Sequence, residues 1–281
     1  MKPAAFDYHR VDRVEDAVAR LAELGEDAKV LAGGQSLVPM MNFRLVRPPA
    51  LVDITRIPDL RYIGRDGDVL RVGALTLHRE IETLADPEIV RGYELLPRAA
   101  RWVGHYPIRT RGTFGGSVAH ADPSAEWCML AVLLDATIVV TGPAGEREIP
   151  AAEFFLGFFT TALEPGELLV EVKLPAAKGW KSAYYEVRER QAFDWPLVSA
   201  AIAIKAEGGV VTDARVVLGQ VAPVPWRSQA AEKALVGKAV GAASAEAAGK
   251  AAVEGAQPMT DNGYKVDLVT TLVRRTVATL A

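Results

Sequence analysis

Two glycine-pinched segments about eighty residues apart constrain this chain more than any other feature. The first reads Leu31-Ala32-Gly33-Gly34-Gln35-Ser36-Leu37. The second reads Thr113-Phe114-Gly115-Gly116-Ser117-Val118-Ala119-His120-Ala121-Asp122-Pro123. Each follows a stretch that reads as ordered structure, and each leads into an apolar run able to form a helix. Backbone without side chains can approach a phosphate closely and turn its N–H groups toward it. Two such segments suit a ligand with two phosphates, so the sequence predicts a dinucleotide site. Neither is a G-x-G-x-x-G following a strand, which argues against a Rossmann dehydrogenase.

The surrounding pattern supports this reading. Ala17, Val18, Leu21, Ala22 and Leu24 have the spacing of an amphipathic helix over Asp16–Leu24. Lys29–Ala32 reads as a short buried strand broken by Gly33-Gly34. Ser36 is placed to cap a helix over Leu37–Phe43, with Pro39 in its first turn. Leu51–Ile54 resumes as strand, and this strand–glycine turn–helix arrangement aims helix N–H groups at whatever occupies the turn. Further along, Val69–Val72 predicts a strand, Leu77–Leu84 and Glu94–Val103 helices, and Ala125–Leu134 a helix beyond the second glycine segment. Ala136–Val140 and Arg147–Ile149 flank a turn at Gly142-Pro143-Ala144-Gly145. From about residue 177 the pattern changes. Three antiparallel strands are expected at Ala183–Arg188, Val198–Ala206 and Val210–Val221, the last two joined through Glu207-Gly208-Gly209. Alanine-rich helices follow at Gln229–Leu235, Ala245–Val253 and Val266–Leu280, and the boundary between the two parts falls near Pro175–Gly179.

Composition excludes several classes of function. With 281 residues the chain can bury a sizeable core and predicts two domains. A net charge of −3 does not suggest a nucleic-acid surface. The first residues have no apolar core of the signal-peptide kind, and the apolar run Trp127–Leu134 is too short to span a bilayer. A cytoplasmic location without a transmembrane segment is therefore expected. The single cysteine, Cys128, lies in that apolar run and reads as a small buried residue. It can form no intrachain disulfide, and a cluster of iron and sulfur needs about four cysteines. His9, His78, His105 and His120 lack zinc-ligand spacing, so no metal site is expected in this chain.

With these residues in view, the chain resembles the FAD-binding medium subunit of the molybdenum hydroxylases, the group of carbon monoxide dehydrogenase and xanthine dehydrogenase. The likeness runs over nearly the whole chain. It is carried by Phe6-Asp7-Tyr8, Leu31–Met41 with Arg44, Leu51–Ile54, Arg109–Pro123 and Phe154-Phe155-Leu156-Gly157. It implies an α+β fold: a two-subdomain FAD-binding domain of the vanillyl-alcohol-oxidase (PCMH) type over 1–176. A C-terminal domain of the carbon monoxide dehydrogenase flavoprotein type, three antiparallel strands plus a helical bundle, would follow over 177–281. FAD would lie with its pyrophosphate on the two glycine segments. Carried over residue by residue, Ala32, Gly33, Gly34, Gln35, Ser36 and Leu37 form the first contact set, and Thr113, Gly116, Ser117, His120 and Asp122 the second. Val103, Gly104, Ile108 and Leu163 would line the adenine and ribityl path, and Trp195 would sit near the isoalloxazine.

The resemblance also implies a role. The chain would be an electron-transfer subunit, with a small iron–sulfur subunit carrying 2Fe–2S clusters and a large molybdopterin subunit, assembled as a dimer of heterotrimers. Electrons would reach FAD from the clusters and leave to an external acceptor, and no catalytic acid–base pair is needed here. Three departures stand out. Gln35 replaces a histidine found in some relatives, Phe114 an isoleucine, and Val187 a lysine that some relatives place against the cofactor. Adjacent strand residues face opposite sides, which argues against Arg188 as a substitute. Other readings stay open at the level of sequence. Ser36 can cap a helix and also bind phosphate. Asp122 suits a sugar hydroxyl better than a phosphate. Arg109 and Arg111 can neutralise pyrophosphate, face solvent or touch a partner chain. Trp195 can meet flavin or pack in the C-terminal domain, and Phe154, Phe155, Phe158 and Phe159 suit core or subunit interface. The rivals are a stand-alone FAD-dependent oxidase or reductase, which needs its own base and substrate pocket, and a non-catalytic nucleotide-binding protein.

Overall fold

Ala17 and Leu21 recur on one face of the helix Val14–Leu24, and burying that face fixes where the helix lies. The computed structural model describes residues 1–191 and 193–281. In it the helix packs on Val52, Ile54, Ile57 and Leu60 in a small N-terminal core. Beneath lies a parallel sheet in the order Asp7–Arg10, Ala50–Asp53, Lys29–Leu31. Its central strand is buried at every position, as expected for a parallel strand covered on both faces. The crossover from Lys29–Leu31 to Ala50–Asp53 runs through Gly33-Gly34 and the helix Leu37–Asn42. The first glycine segment thus sits at the carboxyl end of a strand in a parallel sheet, where α/β folds gather ligands.

A five-stranded antiparallel sheet follows, in the order Ile63–Asp66, Val69–Gly73, Leu168–Leu174, Thr137–Gly142, Gly145–Pro150. Between this sheet and the C-terminal part runs Glu126–Leu133, a helix buried at every residue. Phe114–His120 and Ala151–Phe154 cover it on one side, and Pro196–Glu207 and Val210–Gly219 on the other. That is why it is apolar all round and carries no stripe.

The C-terminal sheet is antiparallel, in the order Trp180–Arg188, Pro196–Glu207, Val210–Gly219, Trp226–Arg227. Alternation along its strands feeds two cores. Tyr184, Ala201, Ala203 and Val217 join the central core. Ala200, Ile202, Ile204, Val216 and Leu218 face the helices Gln229–Leu235, Ala242–Ala251 and Tyr264–Ala278. The sheet has four strands rather than the expected three. The extra one, Trp226–Arg227, has only two residues and carries no readable period. Among the described residues, no helix is long and apolar enough to cross a membrane.

Candidate functional site

The two glycine segments meet in space. A Cβ built on Gly33 would stand 2.7 Å from Gly112 Cα, and closer still to the Arg111 carbonyl oxygen. One built on Gly116 would lie 3.7 Å from Ala32 Cβ. Only residues without side chains allow this approach of backbone to backbone. Gly34 adopts φ +72°, which turns the chain from strand into helix.

The first segment is rich in unpaired donors. Among the described residues, the main-chain N–H groups of Gly33, Gly34, Gln35, Ser36 and Leu37 reach no protein acceptor; pairing resumes with Val38 N–H to the Gly34 carbonyl at 3.1 Å. The Gln35 side chain folds back and donates Nε2–H to the Gly33 carbonyl at 3.1 Å. Ser36 does not cap the following helix as expected. It has helical φ and ψ, its side chain makes no cap hydrogen bond, and its hydroxyl is exposed. With ψ at −52° the residue already belongs to the turn, so its Oγ does not reach back to the N–H groups a cap would satisfy.

The second segment is built differently. Its glycines are helical, in Phe114–His120, with Thr113 as N-cap accepting from Gly116 N–H at 3.1 Å. Phe114 N–H donates to the Thr76 carbonyl at 2.8 Å and Gly115 N–H to the Ala74 carbonyl at 3.0 Å. Most of its amides are therefore already paired, and what it offers a ligand are side chains. The Ser117 hydroxyl has no protein partner among the described residues. Asp122 Oδ1 accepts from the Ser124 N–H at 2.8 Å and the Ser124 hydroxyl at 2.5 Å, leaving Oδ2 available. His120 Nε2 lies 4.0 Å from that Oδ2, and its ring centroid is 5.1 Å from that of Phe159. Burial pulls the His120 pKa down, with Asp122 opposing.

His78 locks this arrangement from below. Its main-chain N–H donates to the Gly112 carbonyl at 3.0 Å, and its Nδ1 accepts from Trp127 Nε1–H at 2.9 Å. Burial, helped by Arg109, pushes its pKa down to about 3, so the ring is neutral with its proton on Nε2. Trp127 in turn packs on Phe114, ring centroids 4.9 Å apart. A lone histidine carries no sequence signal of this role, and neither does Thr76, two residues earlier, whose carbonyl accepts from Phe114 N–H.

The remaining expected residues divide. Val103 is buried, Gly104 adopts φ +48°, and the Ile108 carbonyl accepts from Gly112 N–H at 2.7 Å, so all three shape the turn that leads into the second segment. Leu163 packs at the edge of the central core. Trp195 is 67% exposed, in the connection between two C-terminal strands; among the described residues no hydrogen bond or aromatic pair joins it to either glycine segment. Arg109 is held by Glu82 Oε2 at 2.9 Å and the Val103 carbonyl at 3.1 Å, a structural role. Arg111 is exposed. Arg188 donates to the Trp102 carbonyl at 2.6 Å, tying the C-terminal sheet to the turn at Val103.

Adjacent free amides, free hydroxyls and a backbone cradle closed by a Cβ at position 33 together fit a diphosphate. Asp122 Oδ2 fits a sugar hydroxyl. Among the described residues no group of His, Cys, Asp or Glu could hold a metal ion.

Comparison with known proteins agrees with this geometry. Residues 4–177 match the family model described as the FAD binding domain in molybdopterin dehydrogenase. Residues 183–280 match the CO dehydrogenase flavoprotein C-terminal domain. The chain is similar to the carbon monoxide dehydrogenase medium chain of Hydrogenophaga pseudoflava, 37% identical over 282 residues, 98% of this chain and 96% of that one. It is similar to 6-hydroxypseudooxynicotine dehydrogenase complex subunit alpha of Paenarthrobacter nicotinovorans, 39% identical over 283 residues, 99% and 95% of the two chains. Among solved structures, it superposes on a chain of the H. pseudoflava carbon monoxide dehydrogenase that lacks the Mo-pyranopterin moiety. The TM-score is 0.93, the identity 39%, and 99% and 97% of the two chains are covered.

Proposed function

The chain belongs to the FAD-binding medium chains of the molybdopterin dehydrogenases, and from that premise we propose that it is the electron-transfer subunit of a molybdenum hydroxylase. It works beside a small subunit with 2Fe–2S clusters and a large molybdopterin subunit, as a dimer of heterotrimers in the cytoplasm. The cofactor-binding unit, of the PCMH type, takes residues 1–176, and the C-terminal unit 177–281. The observation that carries the reading is the contact of the first glycine segment, at Gly33, with Arg111-Gly112 at the entrance to the second, with a run of unpaired amides on the first.

In this reading Ala32–Leu37 hold the pyrophosphate through main-chain N–H groups and the Ser36 hydroxyl. Thr113, Gly116 and Ser117 close the other side. His120 and Asp122 meet the sugar-like part, and Val103, Gly104, Ile108 and Leu163 line the path to the adenine and ribityl groups. Trp195 would meet the flavin ring. Bound FAD supplies the ability to take electrons singly and release a pair. The chain itself supplies position, shielding and potential. Substrate chemistry belongs to another subunit.

The test is purification of the native protein from its own host, without separating bound chains. A spectrum with flavin and iron–sulfur absorbance, and two companion chains by mass, is the expected result. A yellow chain that elutes alone favours a stand-alone flavoenzyme. A colourless one with no flavin after denaturation overturns the cofactor assignment.

A further inference from the structure

Two carboxylates and one guanidinium are buried between the second glycine segment and the C-terminal sheet. Glu126 opens the buried helix and is 7% exposed; Glu186, on the strand Trp180–Arg188, is 9% exposed. Their surroundings differ. Glu186 Oε1 accepts from the Tyr184 hydroxyl at 2.6 Å, and its Oε2 accepts from Arg188 Nε at 2.5 Å. Arg188 is further held by the Trp102 carbonyl and lies over the Trp102 ring, 5.2 Å from its centroid. The single cation is thus taken by Glu186. Glu126 has no ion-pair partner, and no neighbouring side chain donates to it among the described residues; only its own main-chain N–H lies close.

Arg188, though bonded to Glu186, still acts on Glu126 and favours its anion; the remaining groups near it are neutral or negative. Asp122, four residues earlier, adds negative potential, as does Glu186. Tyr184 and Cys128 are pushed far up by burial and stay neutral. The pKa values of His120 and His78 are pushed down by burial, so neither ring adds a positive charge at neutral pH. The helix N-terminus, the Glu126 main-chain N–H and Arg188 favour an anion at Glu126, but burial first, with the two neighbouring carboxylates, outweighs them, and the Glu126 pKa rises to about 8.

We propose that the Glu126–Glu186 pair holds one proton at neutral pH and that it resides on Glu126. This side chain is then a neutral hydrogen-bonding acid at the base of the second glycine segment, and losing its proton places an uncompensated negative charge beside the phosphate-binding cleft. Proton occupancy is a property of the chain itself. Its effect on a bound anion rests on the cofactor reading. An ionised Glu126 opposes a ligand that carries two phosphates, so FAD retention is linked to pH through this one group.

The test compares the full-length wild type with Glu126→Gln, which mimics the neutral acid in shape and polarity, and with Glu186→Gln. A raised folded-state pKa means that the folded chain keeps a proton the unfolded chain has released between about 4.5 and about 8. Stability then falls as pH rises across that window. The wild-type unfolding constant, from urea titration, should therefore grow relative to that of Glu126→Gln by up to tenfold per pH unit, then stay level above about 8. A ratio that does not change with pH overturns the proposal. Infrared difference spectroscopy of the wild type should show a protonated-carboxyl carbonyl band that Glu126→Gln lacks. Its loss in Glu186→Gln alone would move the proton to the wrong residue and overturn the assignment. FAD titration supplies the third readout. The wild-type dissociation constant should rise up to tenfold per pH unit above about 8, with Glu126→Gln unchanged. Equal pH profiles for the two overturn the link to the cleft. If neither protein binds FAD, the cofactor reading fails, and the unfolding and infrared results still decide the proton.

Discussion

Gly33→Ala tests the contact on which the site depends. The new Cβ would stand 2.7 Å from Gly112 Cα, against an ordinary carbon–carbon contact of about 3.5–4.0 Å. Both offending neighbours are main-chain atoms of residues 111 and 112 and cannot swing aside. The two segments must separate by about 1 Å, and overpacking of this kind costs about 1–3 kcal/mol. A ligand gripped from both sides opposes that separation, so the cost falls on affinity. At about 1.4 kcal/mol per tenfold, FAD should bind about 5- to 150-fold more weakly. Gly25→Ala is the control. Gly25 has φ +78° and nothing within 4 Å of its Cβ position, at the end of the helix Val14–Leu24. Alanine there is forced into an extended backbone at positive φ that favours glycine, and incurs about 1–3 kcal/mol of strain without touching the site. Titration of apoprotein with FAD, followed by flavin fluorescence, and urea unfolding of both variants separate the effects. Gly33→Ala should lose affinity, and Gly25→Ala only stability. Wild-type affinity in Gly33→Ala refutes the argument from apposition; equal loss in both variants shows that affinity merely follows stability.

Other outcomes follow from the same geometry. Gly34→Asp forces a side chain into φ +72°, against Leu31 and Val38 at 3.2 Å, and adds a negative charge among the free amides; FAD should be absent after purification, and full occupancy by absorbance would refute the loop assignment. His78 is neutral in the fold with its pKa down at about 3, against an ordinary value of 6.5. Its stabilisation is complete above about 6.5 and is lost as pH falls toward 3, up to tenfold in the unfolding constant per unit. His78→Gln, which can still accept from Trp127, should flatten that acid slope, and identical slopes in the two proteins would count against it. With one cysteine and no metal-binding cluster among the described residues, the isolated chain should show no iron–sulfur absorbance and keep its melting temperature in chelator; stoichiometric iron would contradict this.

Much of the fold is legible in the sequence because its signals are local. The helix at Val14–Leu24, the strand before Gly33, the Gly142–Gly145 hairpin and the long C-terminal strands each carry their own period or turn residues. What escapes is set by distant partners. Leu168–Leu174 is a central strand only because Val69–Gly73 and Thr137–Gly142 flank it. Trp226–Arg227 is a strand only because Val217 and Leu218 lie beside it. The same rule holds at the site. Gly33 and Gly116 are readable as glycines that permit close approach, but their closest neighbours, Arg111, Gly112 and Thr113, follow from the folded chain. His78 and Glu126 were missed because nothing in a lone histidine or a glutamate before an apolar run states that it will be buried.

The two glycine segments look alike in sequence and act differently, and the reason lies in what precedes each. The first leaves a strand at its carboxyl end and turns through a left-handed glycine into a short helix, so no carbonyl is positioned to take its amides. The second runs antiparallel past Ala74-Leu75-Thr76, whose carbonyls accept from Phe114 and Gly115, and Thr113 takes Gly116. One segment therefore offers main-chain donors and the other side-chain hydroxyls and a carboxylate. Such a division suits a ligand that is anionic at one end and rich in hydroxyls at the other. Under the proposed reading, specificity for the hydroxyl-bearing part would rest on His120 and Asp122, where a substitution can alter recognition without disturbing the backbone cradle.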